Sequence, residues 1–109
     1  MAITTVNVIG TVYLPNGAPA ANVRMRWRLT EAGAVDDAGA SQRVGGVFEA
    51  SADASGAVDF NVIPNDTITP AGTFYHVTFE TDKGEKWTEE LQPASAPSPV
   101  NIGAIPAPA

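Results

Sequence analysis

Asn22-Val23-Arg24-Met25-Arg26-Trp27-Arg28-Leu29-Thr30 alternates apolar and polar side chains without a break. Successive side chains of a β-strand point to opposite faces, so Val23, Met25, Trp27 and Leu29 share one face and Arg24, Arg26 and Arg28 the other. A one-residue slip in pairing would bury three guanidiniums, which makes the register of this strand firm. One face belongs to a core and the other to solvent or to a partner.

The same period of two recurs on both sides of this stretch. Thr4 to Leu14 sets Val6, Val8, Val12 and Leu14 together and ends at Pro15-Asn16-Gly17, where Asn-Gly supplies the positive φ of a tight turn. Val47 to Asp53 aligns Phe48, Ala50 and Ala52, and Asp53-Ala54-Ser55-Gly56 then turns the chain into Ala57 to Ile63, with Val58, Phe60 and Val62 inward. Pro64 to Gly72 reads as a loop. Thr73 to Thr81 follows with Tyr75, Val77, Phe79 and Thr81 inward, and Lys83-Gly84 leads into Glu85 to Leu91 with Trp87 and Leu91 inward. Glu31 to Gly46 is polar, rich in Gly, Ala and Asp and without period, so it reads as a long loop. No amphipathic helix is visible. Short strands with regular turn signals predict an all-β fold, a single antiparallel β-sandwich of about seven strands over residues 1–91.

Residues 92–109 differ in kind. They hold five of the nine prolines, five alanines and no charged side chain. Such a stretch favours extended backbone and reaches roughly 55 Å. Two readings stand: a disordered tail, or an arm. Burial of Val100, Ile102 and Ile105 favours the arm, with a last short strand at 100–105 closing the sandwich and the remainder lying on a neighbouring subunit. Met1 to Thr5 is expected to reach a neighbour in the same way.

Composition removes several function classes. A chain of 109 residues supports one core and no interdomain cleft. With no cysteine there is no disulfide framework, thiolate metal cluster or cysteine nucleophile. Six Lys+Arg against twelve Asp+Glu give a net charge of −6, which repels a phosphate backbone, so no nucleic acid is expected as partner. The first residues lack the basic and apolar regions of a secretory leader, and no long apolar run suggests a membrane partner.

Sites for chemistry are few. The one histidine, His76, has the outward parity of Thr78 and Glu80, and no Gly-x-Ser-x-Gly turn offers it a nucleophile, so it reads as a surface or interface residue. Ser51-Ala52-Asp53-Ala54-Ser55-Gly56 imitates the start of a calcium loop, but Val62 stands where the bidentate glutamate belongs, and an Asp-x-x-Gly turn is the simpler reading. Asp36-Asp37 and Glu89-Glu90 read as solvated charge. No metal and no cofactor is expected. The Arg24, Arg26, Arg28 row holds half of the cations. It either pairs with neighbouring carboxylates such as Glu80 and Glu90, or meets an acidic partner or a copy of the chain, where arginine binds carboxylate bidentately.

Gly10 to Val23, with Pro15-Asn16-Gly17-Ala18-Pro19 at its centre, resembles the opening of carboxypeptidase-regulatory-like or transthyretin-like β-sandwich domains. Asp53 to Phe60 resembles the Asp-x-x-Gly-x-Phe hairpin of that family, with one extra residue before Phe60, and Pro70-Ala71-Gly72-Thr73-Phe74-Tyr75 resembles its Pro-x-Gly-x-Tyr strand start. Pro64 to Val77 is similar to segments of virion structural proteins of tailed bacteriophages. The resemblance implies a non-enzymatic virion protein, above all a small capsid decoration protein, with a tail, baseplate or fibre-attachment protein as the alternative. It implies the major capsid protein or other virion proteins as partners, self-association on the particle, and a virion location. A carbohydrate-binding or adhesin module is the reading from another class, with Tyr13 and Phe74 as the only aromatics of outward parity. The expected partner interface is Arg24, Arg26, Arg28, Phe74, His76, Val100, Ile102 and Ile105.

Overall fold

The computed structural model describes residues 4–37 and 39–108; Met1 to Ile3 of the expected N-terminal arm lie outside them. The described residues form nine strands: β1 (Val6–Thr11), β2 (Arg24–Leu29), β3 (Gly33–Asp37), β4 (Ala40–Val44), β5 (Val47–Ser51), β6 (Ala57–Val62), β7 (Tyr75–Glu80), β8 (Lys86–Leu91) and β9 (Val100–Asn101). Single 3-10 turns sit at Asn65–Thr67 and Ile102–Ala104. The chain is all-β, in sheets of order β6-β1-β9, β5-β2-β7-β8 and β3-β4.

The alternation of β2 becomes a strict alternation of burial, exposed at each arginine and buried at Met25, Trp27 and Leu29. Pairing of β2 with β5 and β7 on either side makes it an interior strand, where the cost of a register slip is greatest. Val6 and Val8 of β1, paired with Val62 and Phe60 of β6, present the facing layer. Trp27 joins the two layers: its ring lies 5.4 Å from Phe60 in an edge-on contact, 5.4 Å from Tyr75, and stacked on Phe48 at 5.8 Å. Aromatic pairs in these geometries add to the gain from area alone. Two sheets thus enclose one apolar core in a sandwich-like arrangement.

Three expectations change. Residues 31–46 are not a plain loop, because β3 and β4 form a hairpin within them, running from the Gly33/Val44 pair to the Asp37/Ala40 pair. Among the hairpin's described residues Val35 is the one buried apolar side chain, so the backbone ladder, not an apolar period, defines it. Ala34 and Thr69 exchange N–H to carbonyl hydrogen bonds, both 2.8 Å, and anchor the hairpin to the segment before β7.

The last strand pairs parallel, not antiparallel, with β1, matching Val8 with Val100 and Ile9 with Asn101. The segment expected as an arm on a neighbour lies instead on its own domain. The Asn65 N–H donates to the Pro93 carbonyl at 2.9 Å, Ser95 donates twice to the Asp66 carboxylate, and the Asn7 N–H reaches the Ser98 hydroxyl at 3.2 Å. The Gln92 N–H then donates to the Pro106 carbonyl at 2.8 Å, so the segment crosses from the β1 sheet to the end of β8. Burying an isoleucine is worth about 2 kcal/mol, and Ile102 and Ile105 both go into the core. An uncharged segment has no solvated charge to strip when it packs in this way.

Candidate interaction surfaces

The outer face of the β5-β2-β7-β8 sheet is built by parity. β2 contributes Arg24, Arg26 and Arg28, β5 contributes Val47 and Glu49, β7 contributes His76, Thr78 and Glu80, and β8 contributes Lys86, Thr88 and Glu90. Register sets the rows: Arg24 between Ser51 and Glu80, Arg26 between Glu49 and Thr78, Arg28 between Val47 and His76. Four of the six cations and three of the twelve acids meet on this face, a formal +1 that leaves −7 for the rest of the chain.

Ion pairing here is partial. The Glu80 carboxylate is shared, with Arg24 Nη2 at 3.7 Å from Oε1 and Lys86 Nζ at 3.9 Å from Oε2, and His76 Nδ1 lies 3.8 Å from Glu90 Oε2. These solvent-screened pairs contribute little to stability. Among the described residues no carboxylate comes within 4.0 Å of Arg26 or Arg28. The expected pairing with Glu80 therefore holds for Arg24, while Glu90 pairs with His76 and not with arginine. Phe74 precedes β7 and lies against His76 with ring centroids 5.3 Å apart, so half of it is covered and it offers a poor stacking platform.

Of the expected interface residues, Arg24, Arg26, Arg28, Phe74 and His76 come together on this side. Val100, Ile102 and Ile105 do not. Val100 is half-buried in β9, and Ile102 and Ile105 are 8% and 7% exposed inside the chain's own core, which corrects their assignment to a partner surface.

A second surface was not apparent from the residue pattern. Between β8 and the Val12-Tyr13 continuation of β1 runs a groove of about 460 Å³, floored by Leu91, Ile102 and Ile105. Trp87 stacks on buried Phe79 at 4.9 Å with planes 4° apart, and its indole N–H donates to Glu89 Oε2 at 3.1 Å. Tyr13, 60% exposed, stands on the groove wall. Trp87 reads as core from parity, and it is only half-buried because β8 is an edge strand. The available signal is Trp87-x-Glu89-x-Leu91: a carboxylate at inward parity marks a strand whose inner face opens to water.

The Asp53 turn takes the simpler of its two readings. Asp53 Oδ1 accepts from the Ser55 N–H at 2.8 Å and the Ala57 N–H at 3.0 Å, so this oxygen closes its own turn. Among the described residues no three or more His, Asp or Glu side chains converge as a metal site. Among the described residues no helix is long and apolar enough to cross a membrane. No known protein family matches the chain, and no curated protein is detectably similar to it.

Proposed function

We propose that the two sheets are a β-sandwich of transthyretin-like or immunoglobulin-like type, its seven strands supplemented by the β3-β4 hairpin, and that it works as a non-enzymatic structural protein of a tailed-phage virion. The role we favour is capsid decoration, with the outer face of the β5-β2-β7-β8 sheet docking on an acidic surface. The observation that carries the docking surface is the charge division: four of six cations on one sheet face of a chain whose net charge is −6, with Arg26 and Arg28 free of carboxylate partners among the described residues. Arginine on a rigid strand is suited to binding carboxylates in pairs of parallel hydrogen bonds. The phage assignment rests on the resemblance of residues 64–77 to virion proteins.

Cosedimentation of the purified protein with assembled shells, and separately with tails, of the phage that encodes it tests this reading. Binding to shells that weakens with added salt and in the Arg26→Glu/Arg28→Glu variant is the expected result. Binding to tails alone moves the assignment to a tail, baseplate or fibre-attachment protein. Binding to neither at low salt overturns the virion reading.

A further inference from the structure

We propose that the Tyr13-Trp87-Glu89 groove is a socket for Arg26 or Arg28 of a second copy, so that copies of this chain join head to tail. The proposal rests on the reading of the arginine face as a docking surface and adds a second copy of the chain as a partner of that face.

Each part of the groove matches a part of an arginine side chain. Phe79 stacks on Trp87 and holds the indole at the edge of the sheet, where half-buried Trp87 lines the groove. Glu89 Oε2 accepts from the Trp87 N–H, which fixes the indole against the carboxylate, while no hydrogen bond among the described residues engages Oε1. Tyr13 adds a second aromatic side chain. A guanidinium is planar, weakly hydrated and stacks on aromatic faces while hydrogen-bonding to carboxylate. Its methylene stem suits the floor of Leu91, Ile102 and Ile105.

The other half of the contact is equally specific. Arg24 and Lys86 share Glu80, whereas Arg26 and Arg28 have no carboxylate within 4.0 Å among the described residues. Arg26 and Arg28, without a carboxylate within 4.0 Å among the described residues, and Glu89, with an unengaged oxygen, lie on different faces of the same domain. A contact between unlike surfaces is heterologous, so it generates a ring or an open string and not a two-fold dimer.

Sedimentation velocity of the full chain over a concentration series tests the proposal. The unaltered protein is expected to form dimers and larger species. Glu89→Gln keeps an acceptor for the Trp87 N–H and removes the charge, and Arg26→Lys/Arg28→Lys keeps the charge and removes the stacking fork. Each is expected to raise the dissociation constant about tenfold with an unchanged melting curve. Arg26→Ala/Arg28→Ala is expected to abolish self-association. Mixed with Glu89→Ala, which retains the arginine face, it is expected to give a one-to-one heterodimer and nothing larger, because each partner supplies one intact half.

A protein that stays monomeric throughout overturns the socket. If that monomer still sediments with shells, the virion reading survives alone. Self-association unchanged by these variants, or a mixture that gives no heterodimer, also overturns it. So does a tryptophan fluorescence change on adding a pyranose sugar or a proline-rich peptide without self-association, which assigns the groove to that occupant.

Discussion

The Tyr75 hydroxyl donates to the Ile63 carbonyl at 2.7 Å, which ties β7 of one sheet to the residue leaving β6 of the other. Burial pushes the phenol up from 10.0 to about 12, because the anion would lose water and gain no cation in exchange. The folded chain therefore holds this proton more tightly than the unfolded chain. The stability that Tyr75 contributes is complete below pH 10.0 and is lost as pH rises through about 12. Tyr75→Phe is expected to cost about 1 kcal/mol at neutral pH and to remove most of this alkaline loss, measured by urea denaturation across the range.

Ile105 distinguishes an arm from a piece of the core. At 7% exposure, Ile105→Ala is expected to lower stability by about 2 to 4 kcal/mol in chemical denaturation, through the lost transfer energy and the cavity left behind. A residue lying loose on solvent would change it by less than about 0.5 kcal/mol.

Two glycines with similar backbone angles are expected to respond differently. Gly17 has φ +88° and open space around a built Cβ, while Gly56 has φ +78° and a Cβ there would sit 2.8 Å from the Val12 carbonyl oxygen. Gly17→Ala is expected to cost about 1 kcal/mol, the left-handed strain alone. Gly56→Ala is expected to cost at least about 2 kcal/mol, because it also displaces β1 from the β5-β6 turn. Paired thermal melts of the two variants check the difference.

Glu80 sits between two cations and still is expected to matter little. Its side chain is 37% exposed and its partners Arg24 and Lys86 are 60% and 63% exposed, so solvent screens both contacts. Glu80→Gln is expected to alter stability by less than about 0.5 kcal/mol in denaturant titration, and the Arg24 charge it leaves uncompensated makes the sheet face more cationic.

Parity along a strand is legible in sequence, and it places Met25, Trp27, Val77 and Phe79 inward and the three arginines outward. Sheet order is not, because it depends on which strands find each other across long separations. That is why the arginine row is visible in the sequence and the groove is not: Trp87 looks like core until β8 is known to be an edge. The β3-β4 hairpin is not legible in the sequence because hydrogen bonding of a mostly solvated backbone leaves no apolar period. The Pro/Ala composition of residues 92–109 speaks for extended backbone, but not for the surface on which that backbone lies, and here the surface is the chain's own.

The parallel pairing of β9 with β1 also has a consequence for synthesis. A ribosome delivers β1 first and β9 last, so the three-stranded sheet stays one strand short, and the groove beside Trp87 lacks Ile102 and Ile105, until residue 106 has cleared the exit tunnel. The β6-β1-β9 sheet can close only once residues 100–106 are available to it. Until then the β1 edge that pairs with β9 stays open, a surface that chaperones are suited to shield.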